Sequence, residues 1–422
     1  MFMGTCKELQ SEVVYRRVVL TVACGSPKPL VAVQIRARLP FMHSVLGMLE
    51  RIYKFWEIEA DHISGDEFTG YESLYPQLSK YTKDIYNADP EKTIDEVFDL
   101  YRSINLVPIV YFTDSGLIQA IKDFKRSSYN NVSLGRIGLG NNKGQSINRF
   151  LFTNMMTAEP KGRGSNSLRD RFYNDTKLRR AIRICFEFRE GNNLVHPTAI
   201  RRSLELVTGE NIQNFKSQNA RAIVEYCCPV LWGRVYDYSC GYGGRLLGVT
   251  SSNLQLEYVG VDPNTETVEN LKLLNSFIEQ AGGRPGEIHQ SVSEEFVPEN
   301  IDCAFSSPPY FNLEKYSDEP TQCMNQFNSI DEWFEGYVAP TMQNIHAGLN
   351  SEGVFATNIA DYKTPKEEFK VVDRWISTAE KIGFKHTETL KMMLNTRPGA
   401  GNGKQDGVEK YEGVYVFEKV NQ

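Results

Sequence analysis

The second half of the chain alternates short apolar runs with amphipathic stretches. Apolar runs predict strands at 235–239, 256–262, 302–307, 354–360, 387–393 and 414–417. Helical spacing of apolar residues predicts helices at 265–280, 331–349 and 366–382. Strands that alternate with helices indicate a doubly wound, mostly parallel sheet. Only a glycine-rich stretch joins the last two strands, so we expect that pair to be antiparallel.

The first half is less regular. The pattern predicts a hairpin at 13–38, a helix at 42–58, a short strand at 106–112 and then a helix that ends near residue 124. Further helices are predicted at 177–188, 196–207 and 217–226. Between 125 and 177 the chain is rich in Gly, Asn, Ser and Arg, which is typical of loops. We therefore divide it into an N-terminal α+β region (1–120), a basic segment (121–211) and a catalytic domain (212–422).

Charge is distributed unevenly along the chain. The formal net charge is −6, yet residues 121–221 carry 19 Lys and Arg against 8 Asp and Glu, or +11. The rest of the chain carries −17. A basic segment inside an acidic protein is typical of a surface that binds a polyanion.

The overall composition excludes several classes of protein. Of 422 residues, 41% are hydrophobic and 24% charged, as in ordinary globular proteins. No apolar run is long enough for a membrane span and no signal peptide is evident, so we expect a cytoplasmic protein. The eight cysteines form no CxxC pair and there are six histidines, which predicts reduced thiols and no metal site.

A glycine-rich turn follows the first strand of the second half. Asp237 lies near the end of this predicted strand, and Gly241, Gly243 and Gly244 come before an apolar helix start. Such turns let a nucleotide-like cofactor approach the backbone, and Asp262 at the end of the next strand can accept hydrogen bonds from a ribose diol. The turn matches neither GxGxxG nor a Walker motif. An adenosyl group without pyrophosphate fits better, which favours S-adenosylmethionine.

The stretch Ser307-Pro308-Pro309-Tyr310 ends another predicted strand. An exocyclic amino group of a nucleobase is a poor nucleophile, and acceptors that hold its hydrogens make the nitrogen lone pair available. Ser307 offers a side-chain oxygen and Pro308 a carbonyl, which the prolines hold in a fixed direction. Tyr310 offers a flat face for a base that has left its stack. Catalysis would then consist chiefly of positioning.

These residues resemble the (D/N/S)PP(Y/F/W) signature of the amino-group DNA methyltransferases, and Asp237 to Gly244 is similar to the cofactor loop of that family. The resemblance covers residues 212–422 and implies a Rossmann-like fold, S-adenosylmethionine, a ribose-binding role for Asp262 and a cofactor contact for Phe215. Where the family usually has a proline two residues after that phenylalanine, this chain has Ser217. The serine form is associated mostly with cytosine N4 and the Asp and Asn forms with adenine N6, so cytosine is favoured.

Target recognition is expected upstream, since completion of the sheet uses the rest of the catalytic domain. The residues expected to contact DNA phosphates are Lys125, Arg126, Arg136, Lys143, Arg149, Lys161, Arg163, Arg169, Arg171, Arg179 and Arg180.

Two other interpretations stay open. A methyltransferase of the same fold could act on RNA, on a protein amide nitrogen or on a small molecule. A planar amide would suit the same turn, Ser307-Pro308-Pro309-Tyr310, which we call the proline corner. A catalytically silent DNA-binding protein could keep the fold, although the intact Asp262, glycines and SPPY motif argue against it. The basic segment favours nucleic acid over a small molecule but does not separate DNA from RNA.

Overall fold

The computed structural model describes residues 75–104, 107–108, 112–129, 131–160, 166–208, 211–364, 367–394 and 410–420. The described residues belong to one compact unit. The predicted hairpin at 13–38 and helix at 42–58 lie outside them, as do Lys161 and Arg163. The three-part division of the chain therefore stays a prediction.

The strands of the described residues are β1 (Val132–Ser133), β2 (Arg136–Ile137), β3 (Trp232–Asp237), β4 (Gln255–Asp262), β5 (Glu287–Gln290), β6 (Ile301–Ser306), β7 (Leu349–Asn358), β8 (Tyr362–Lys363), β9 (Glu368–Phe369), β10 (Phe384–Met393) and β11 (Tyr411–Lys419). The main sheet has the order β1-β2-β10-β11-β7-β6-β3-β4-β5. From β7 to β5 all neighbours are parallel, whereas β11 runs antiparallel to both β7 and β10. The expected mostly parallel sheet with an antiparallel last strand is thus confirmed.

The parallel arrangement determines where the candidate site lies. Tyr236 in β3 pairs with Ala304 in β6, so the two strands are neighbours along their length. Because parallel strands end at the same edge, Asp237, Asp262 and Ser306 all reach one edge of the sheet. This edge carries both of the motifs that the sequence singled out.

The helices are α1 (Tyr75–Leu78), α2 (Lys83–Ala88), α3 (Pro90–Ile104), α4 (Asp114–Arg126), α5 (Gln145–Leu151), α6 (Leu168–Tyr173), α7 (Asp175–Phe188), α8 (Pro197–Thr208), α9 (Ser217–Cys227), α10 (Gly244–Thr250), α11 (Thr265–Gln280), α12 (Cys323–Gln326), α13 (Ile330–Trp333), α14 (Ala339–Gly348) and α15 (Val372–Ile382). None of these helices, within the described part of the chain, is long and apolar enough to cross a membrane.

Local chemistry sets several helix ends. The side chain of Asn264 accepts a hydrogen bond from the Thr267 N–H and begins α11 at the residue that the pattern predicted. Gly383 has a φ of 115° and ends α15 in the left-handed conformation that glycine favours. The predicted helix 331–349 is interrupted by a π-helical turn at Phe334–Val338. That wider turn adds a residue per turn to a segment whose aromatic side chains belong to the core.

The apolar core beside α13 and α15 contains two buried tryptophans. Trp333 and Trp375 are buried with ring centroids 6.2 Å apart, and Phe355 of β7 stacks on Phe417 of β11 at 5.2 Å. Burial of such rings contributes a few kcal/mol each, about 25 cal/mol for each Å² of apolar surface removed from water. The cluster includes Phe311, and Tyr310 packs against it, so the core reaches the residues of the second motif.

Several details differ from the sequence prediction. The predicted helix 366–382 begins only at Val372, because Glu368–Phe369 pair with Tyr362–Lys363 as strands β9 and β8. β5, short and half polar, was not predicted, and the described residues of the expected strand 106–112 are not in a strand. The stretch 125–177, expected to consist of loops, contains a β1–β2 hairpin that extends the sheet beside β10, and also α5 and a 3₁₀ turn at Thr153–Met156. Its short elements gain their stability from packing against the sheet, which a weak local pattern does not reveal.

Candidate active site

The glycine turn and the proline corner meet at the sheet edge. The Ser306 hydroxyl, one residue before the proline corner, donates a 2.6 Å hydrogen bond to Oδ1 of Asp237. The neighbouring positions of β3 and β6 make this contact possible although the two residues are 69 apart in sequence. A ligand on the glycine turn and a ligand at the proline corner would therefore lie side by side.

The Asp237 carboxylate is buried and fully used by the protein. It is 1% exposed, and Oδ2 accepts hydrogen bonds from Arg245 Nε at 2.9 Å and from the Tyr258 hydroxyl at 2.8 Å. Burial lowers the pKa of Arg245, but the Asp237 carboxylate outweighs this effect and the net pKa is raised. Asp237, expected to bind a cofactor, thus holds the turn, β4, α10 and β6 together.

The three glycines of the turn serve different needs. Gly243 has a φ of 72°, and a Cβ there would lie 2.8 Å from the ring of Phe152. A Cβ on Gly244 would lie 2.0 Å from the carbonyl oxygen of Phe215. Packing by the chain itself therefore requires both of these glycines. A Cβ on Gly241, which has a φ of 55°, would meet no atom closer than 3.9 Å, so of the three glycines this one alone has space beside it for a ligand.

Asp262 has a different environment from Asp237. It is 8% exposed, and its two oxygens accept hydrogen bonds from the backbone N–H groups of Gly241 at 2.8 Å and Asn264 at 3.0 Å. Burial raises the pKa of Asp262 to about 6, and the two N–H donors oppose this rise. Since each carboxylate oxygen has two lone pairs, both can accept further hydrogen bonds from a ligand.

Phe215 lies between the two motifs. Its half-buried ring is 5.5 Å from the ring of Phe305 in β6 and 5.6 Å from the guanidinium of Arg245. Asn214, just before it, donates a 2.9 Å hydrogen bond to the carbonyl of Tyr242 in the glycine turn. The segment expected to contact a cofactor is therefore adjacent to the turn.

The proline corner is supported by β7. Ser307 is half-buried, and its hydroxyl donates a 3.4 Å hydrogen bond to Oδ1 of Asn358, at the end of β7. The amide of Asn358 in turn donates to the Gly413 carbonyl at 3.0 Å. Pro308 is buried and Pro309 half-buried. Asn358 was not singled out from the sequence, where nothing distinguishes it from other strand-end asparagines.

Tyr310 lies at the border of the core and remains half-buried. Its ring centroid is 4.7 Å from that of Tyr362, and its hydroxyl accepts a 3.1 Å hydrogen bond from the Ala360 N–H. Burial raises the pKa of Tyr310 well above its usual range, so the hydroxyl stays neutral. These contacts fix the plane of the ring beside the proline corner.

Two acidic residues near this corner were missed by sequence reasoning. Burial raises the pKa of Glu314 to about 7, and the hydroxyl of Tyr316 donates a hydrogen bond to its carboxylate. The ring of Tyr316 lies 6.2 Å from that of Tyr242, so Glu314 is near the glycine turn as well. Burial also raises the pKa of Glu412, whose side chain bonds Asn358. Glu314 follows the SPPY motif by four residues, and only its aromatic neighbours hint at burial.

The loop after the proline corner is tied to the basic segment. The backbone of Lys315 exchanges two hydrogen bonds with that of Glu159, at 2.8 and 3.0 Å, and Lys315 Nζ lies 3.2 Å from the Glu159 carboxylate. The 3₁₀ turn just before contributes Asn154, which donates to the hydroxyl of Thr267 at 2.8 Å. The basic segment therefore borders the candidate site itself.

The basic residues expected to contact DNA have unequal positions. Those with exposed side chains are Lys125, Arg126, Arg136, Lys143 and Arg180. Arg149 lies 3.4 Å from Glu205, Arg179 pairs with Asp95, and Arg169 is half-buried near Tyr173. Arg171 is 1% exposed and donates to the Asn166 carbonyl at 2.8 Å, so it has an internal structural contact.

Metal ligands are not grouped in the described part of the chain: no cluster of three His, Cys, Asp or Glu side chains there could hold an ion.

Comparison with known proteins gives similar structures only. No protein-family model and no curated protein matches the chain. One similar solved structure is TrmN from Thermus thermophilus, with 16% identity over 48% of this chain and 49% of that chain and a TM-score of 0.31. Another is a TehB-like SAM-dependent methyltransferase from Corynebacterium glutamicum, with 15% identity over 53% of this chain and 96% of that chain and a TM-score of 0.32. A SAM-dependent O-methyltransferase from Thermotoga maritima is also similar, with 13% identity over 52% of this chain and 71% of that chain and a TM-score of 0.32.

The chain thus spans about half the length of the Thermus thermophilus protein. With identities of 13 to 16% and TM-scores near 0.3, these matches add nothing to what the strand order already shows about the fold.

Loss of the Arg245 guanidinium should destabilise the whole sheet edge. We expect Arg245→Ala to lower the free energy of unfolding by about 3–5 kcal/mol, because it leaves the Asp237 carboxylate buried and unpaired. Lys363→Ala is the control, since the exposed Lys363 pairs with Glu368 at 2.8 Å at the surface and its loss should cost about 1 kcal/mol or less. Urea denaturation measures both variants, and equal losses would contradict the role given to Arg245.

Proposed function

We propose that the protein is an S-adenosylmethionine-dependent DNA methyltransferase that modifies the exocyclic amino group of an extruded base. One observation carries this proposal: the glycine turn after β3 and the SPPY corner after β6 end adjacent parallel strands and are joined by the Ser306–Asp237 hydrogen bond. A cofactor on the first and a base at the second would be within reach of each other.

The residues around the glycine turn suit an adenosyl cofactor. Asp262 retains lone pairs for a ribose diol, Gly241 has free space where a side chain would lie, and the ring of Phe215 lies beside the turn. When bound, S-adenosylmethionine supplies a methyl group on a positively charged sulfur. Asp262, whose pKa is about 6, is mostly ionised at neutral pH, and its negative charge beside the turn favours a cationic cofactor there.

The proline corner suits an amino group as the methyl acceptor. Ser307 and the Pro308 carbonyl would accept hydrogen bonds from the two amino hydrogens, while the proline rings keep that carbonyl in a fixed direction. Tyr310, held by Tyr362 and the Ala360 N–H, would offer its ring to the base. Orientation of the nitrogen lone pair toward the methyl group then lowers the barrier without a charged base.

DNA is favoured as substrate by the exposed cations of the basic segment, a segment that also borders the proline corner through Glu159 and Lys315. The serine form of the motif favours cytosine N4 over adenine N6. RNA, a protein amide nitrogen or a small molecule would suit the same corner, and a catalytically silent DNA-binding protein would keep the same fold. The cytoplasmic location also remains a prediction.

Removal of the Ser307 hydroxyl should separate binding from chemistry. We expect Ser307→Ala to reduce methyl transfer by about 10²-fold, because an acceptor at the reacting nitrogen is lost, while the affinity for S-adenosylmethionine stays within about twofold. Ser351→Ala, at an exposed position of β7, is the control and should keep full activity. Single-turnover rates and calorimetry test this, and a fully active Ser307→Ala enzyme would refute the mechanism.

Cofactor affinity should depend on the protonation of Asp262. A carboxylate with a pKa of about 6 is increasingly protonated below that pH, and the protonated form loses acceptor capacity for the ribose. We therefore expect the Kd to rise by up to about tenfold for each pH unit below 6 and to level off above about pH 7. Calorimetry from about pH 5 to 8 measures this, and Asp262→Asn should bind weakly at every pH. A flat profile for the wild type would contradict the ribose role.

The substrate class is tested by incubation with tritiated S-adenosylmethionine and genomic DNA, followed by nucleoside analysis. We expect label in N4-methylcytosine and an affinity for DNA that falls steeply with salt, because phosphate contacts release counterions. Label in N6-methyladenine would change the base but keep the enzyme class. Label in RNA or protein alone, or a binding profile independent of salt, would overturn the DNA assignment.

A further inference from the structure

A small cavity is lined by residues of α6 and α8. Its volume is about 10 Å³, and its polar lining comes from Arg171, Arg201, Glu205 and Asn211. Apolar residues, Ala158 and Pro160 among them, complete the wall. A space of this size holds about one water-sized or oxygen-sized atom.

Arg201 of α8 is the unusual member of this lining. It is 2% exposed, and its Nε and Nη1 atoms have no hydrogen-bond partner among the residues that the structure describes. The opposite charge with which it pairs there is Oε1 of Glu205, 3.8 Å from Nε and beyond hydrogen-bond distance. Burial lowers the pKa of Arg201 to about 10, and Arg149 adds to the effect. A buried guanidinium with unmet donors costs free energy unless an acceptor reaches it.

Glu205 cannot satisfy this demand alone. The same carboxylate lies 3.4 Å from Arg149 Nη2 and 3.0 Å from Arg202 Nη1, so three guanidinium groups share one negative charge. Arg171, 1% exposed, is the second arginine of the cavity wall beside Arg201. The local excess of positive charge favours an anion over a neutral ligand.

We propose that Arg201 and Arg171 bind one anionic oxygen of a phosphate group, which enters the cavity while the rest of the phosphate stays at its mouth. Guanidinium groups bind phosphate oxygens through strong, charge-assisted hydrogen bonds, and Arg201 has donors to spare for such an acceptor. The size of the cavity limits entry to a single oxygen.

The site lies close to the loop that follows the proline corner. Ala158 and Pro160 in the cavity wall flank Glu159, whose backbone pairs with Lys315, five residues after Tyr310. A phosphate held here would thus be near the path of a strand that delivers a base. The ligand is either a nucleic-acid backbone phosphate, a source that rests on the proposed function, or free phosphate, which does not.

Inorganic phosphate is the first probe. We expect the melting temperature of the full chain to rise by a few °C, on the order of 3 °C, in millimolar phosphate relative to chloride of equal ionic strength. Arg201→Gln should lose this rise. Arg202→Gln, the matched control, alters an exposed neighbour that bonds the same Glu205 and should keep it. A wild type without the rise, or an equal rise in Arg201→Gln, would overturn the site.

A second variant covers the case in which Arg201→Gln does not fold. Glu205→Gln removes the carboxylate that competes with an anion, so phosphate should bind about tenfold more tightly by equilibrium dialysis with labelled phosphate. Unchanged or weaker phosphate binding in Glu205→Gln would show that the arginines are purely structural and would overturn the proposal.

A DNA duplex distinguishes the source of the phosphate. If the backbone is the ligand, Arg201→Gln should weaken binding uniformly across sequences and reduce the salt slope by about one, whereas Arg202→Gln should leave the slope nearly unchanged. If the slope is unchanged while the phosphate-dependent rise is lost, free phosphate is the ligand. Failure of the wild type to methylate DNA would refute the proposed function without affecting the phosphate result.

Discussion

The structure depends on one buried carboxylate. Asp237 accepts hydrogen bonds from Arg245, Tyr258 and Ser306, and these three donors belong to α10, β4 and β6. Because an ion pair in a nonpolar interior is strong only when its hydrogen bonds are complete, the three donors have little freedom to move. The carboxylate therefore fixes the distance between the glycine turn and the proline corner, on which any transfer between them depends.

The two aspartates at this sheet edge have different roles. The carboxylate oxygens of Asp237 are fully hydrogen-bonded within the protein, whereas Asp262 is held by two backbone N–H groups and can still accept hydrogen bonds from a ligand. The glycines divide in the same way, since Gly243 and Gly244 make room for Phe152 and the Phe215 carbonyl, and Gly241 alone of the three stays open. A turn that looks uniform in sequence is thus mostly scaffold, with one position suited to binding.

The cationic side chains of the basic segment are likewise of two kinds. Some of its cations are engaged within the protein, as Arg149 is with Glu205 and Arg179 with Asp95, and they stabilise the helices around them. Others, such as Lys125 and Lys143, are exposed and contribute to the field outside the molecule. The segment also packs on the glycine turn through Asn148, whose amide donates to the Tyr242 carbonyl. Charge counting alone therefore overstates the surface available to a polyanion.

The sequence by itself determined the local elements, because buried strands, turn glycines and prolines are set by neighbouring residues. The strand ends at Asp262 and Ser306 could be predicted to within a residue, and the end of β3 at Asp237 to within two. It did not reveal β5, whose half-polar stretch becomes a strand through pairing with β4. Only the tertiary structure decided that Asn358 supports Ser307 and that Arg171 is buried. Those contacts join residues far apart in sequence, and the order of strands and the packing of helices, rather than local pattern, bring them together.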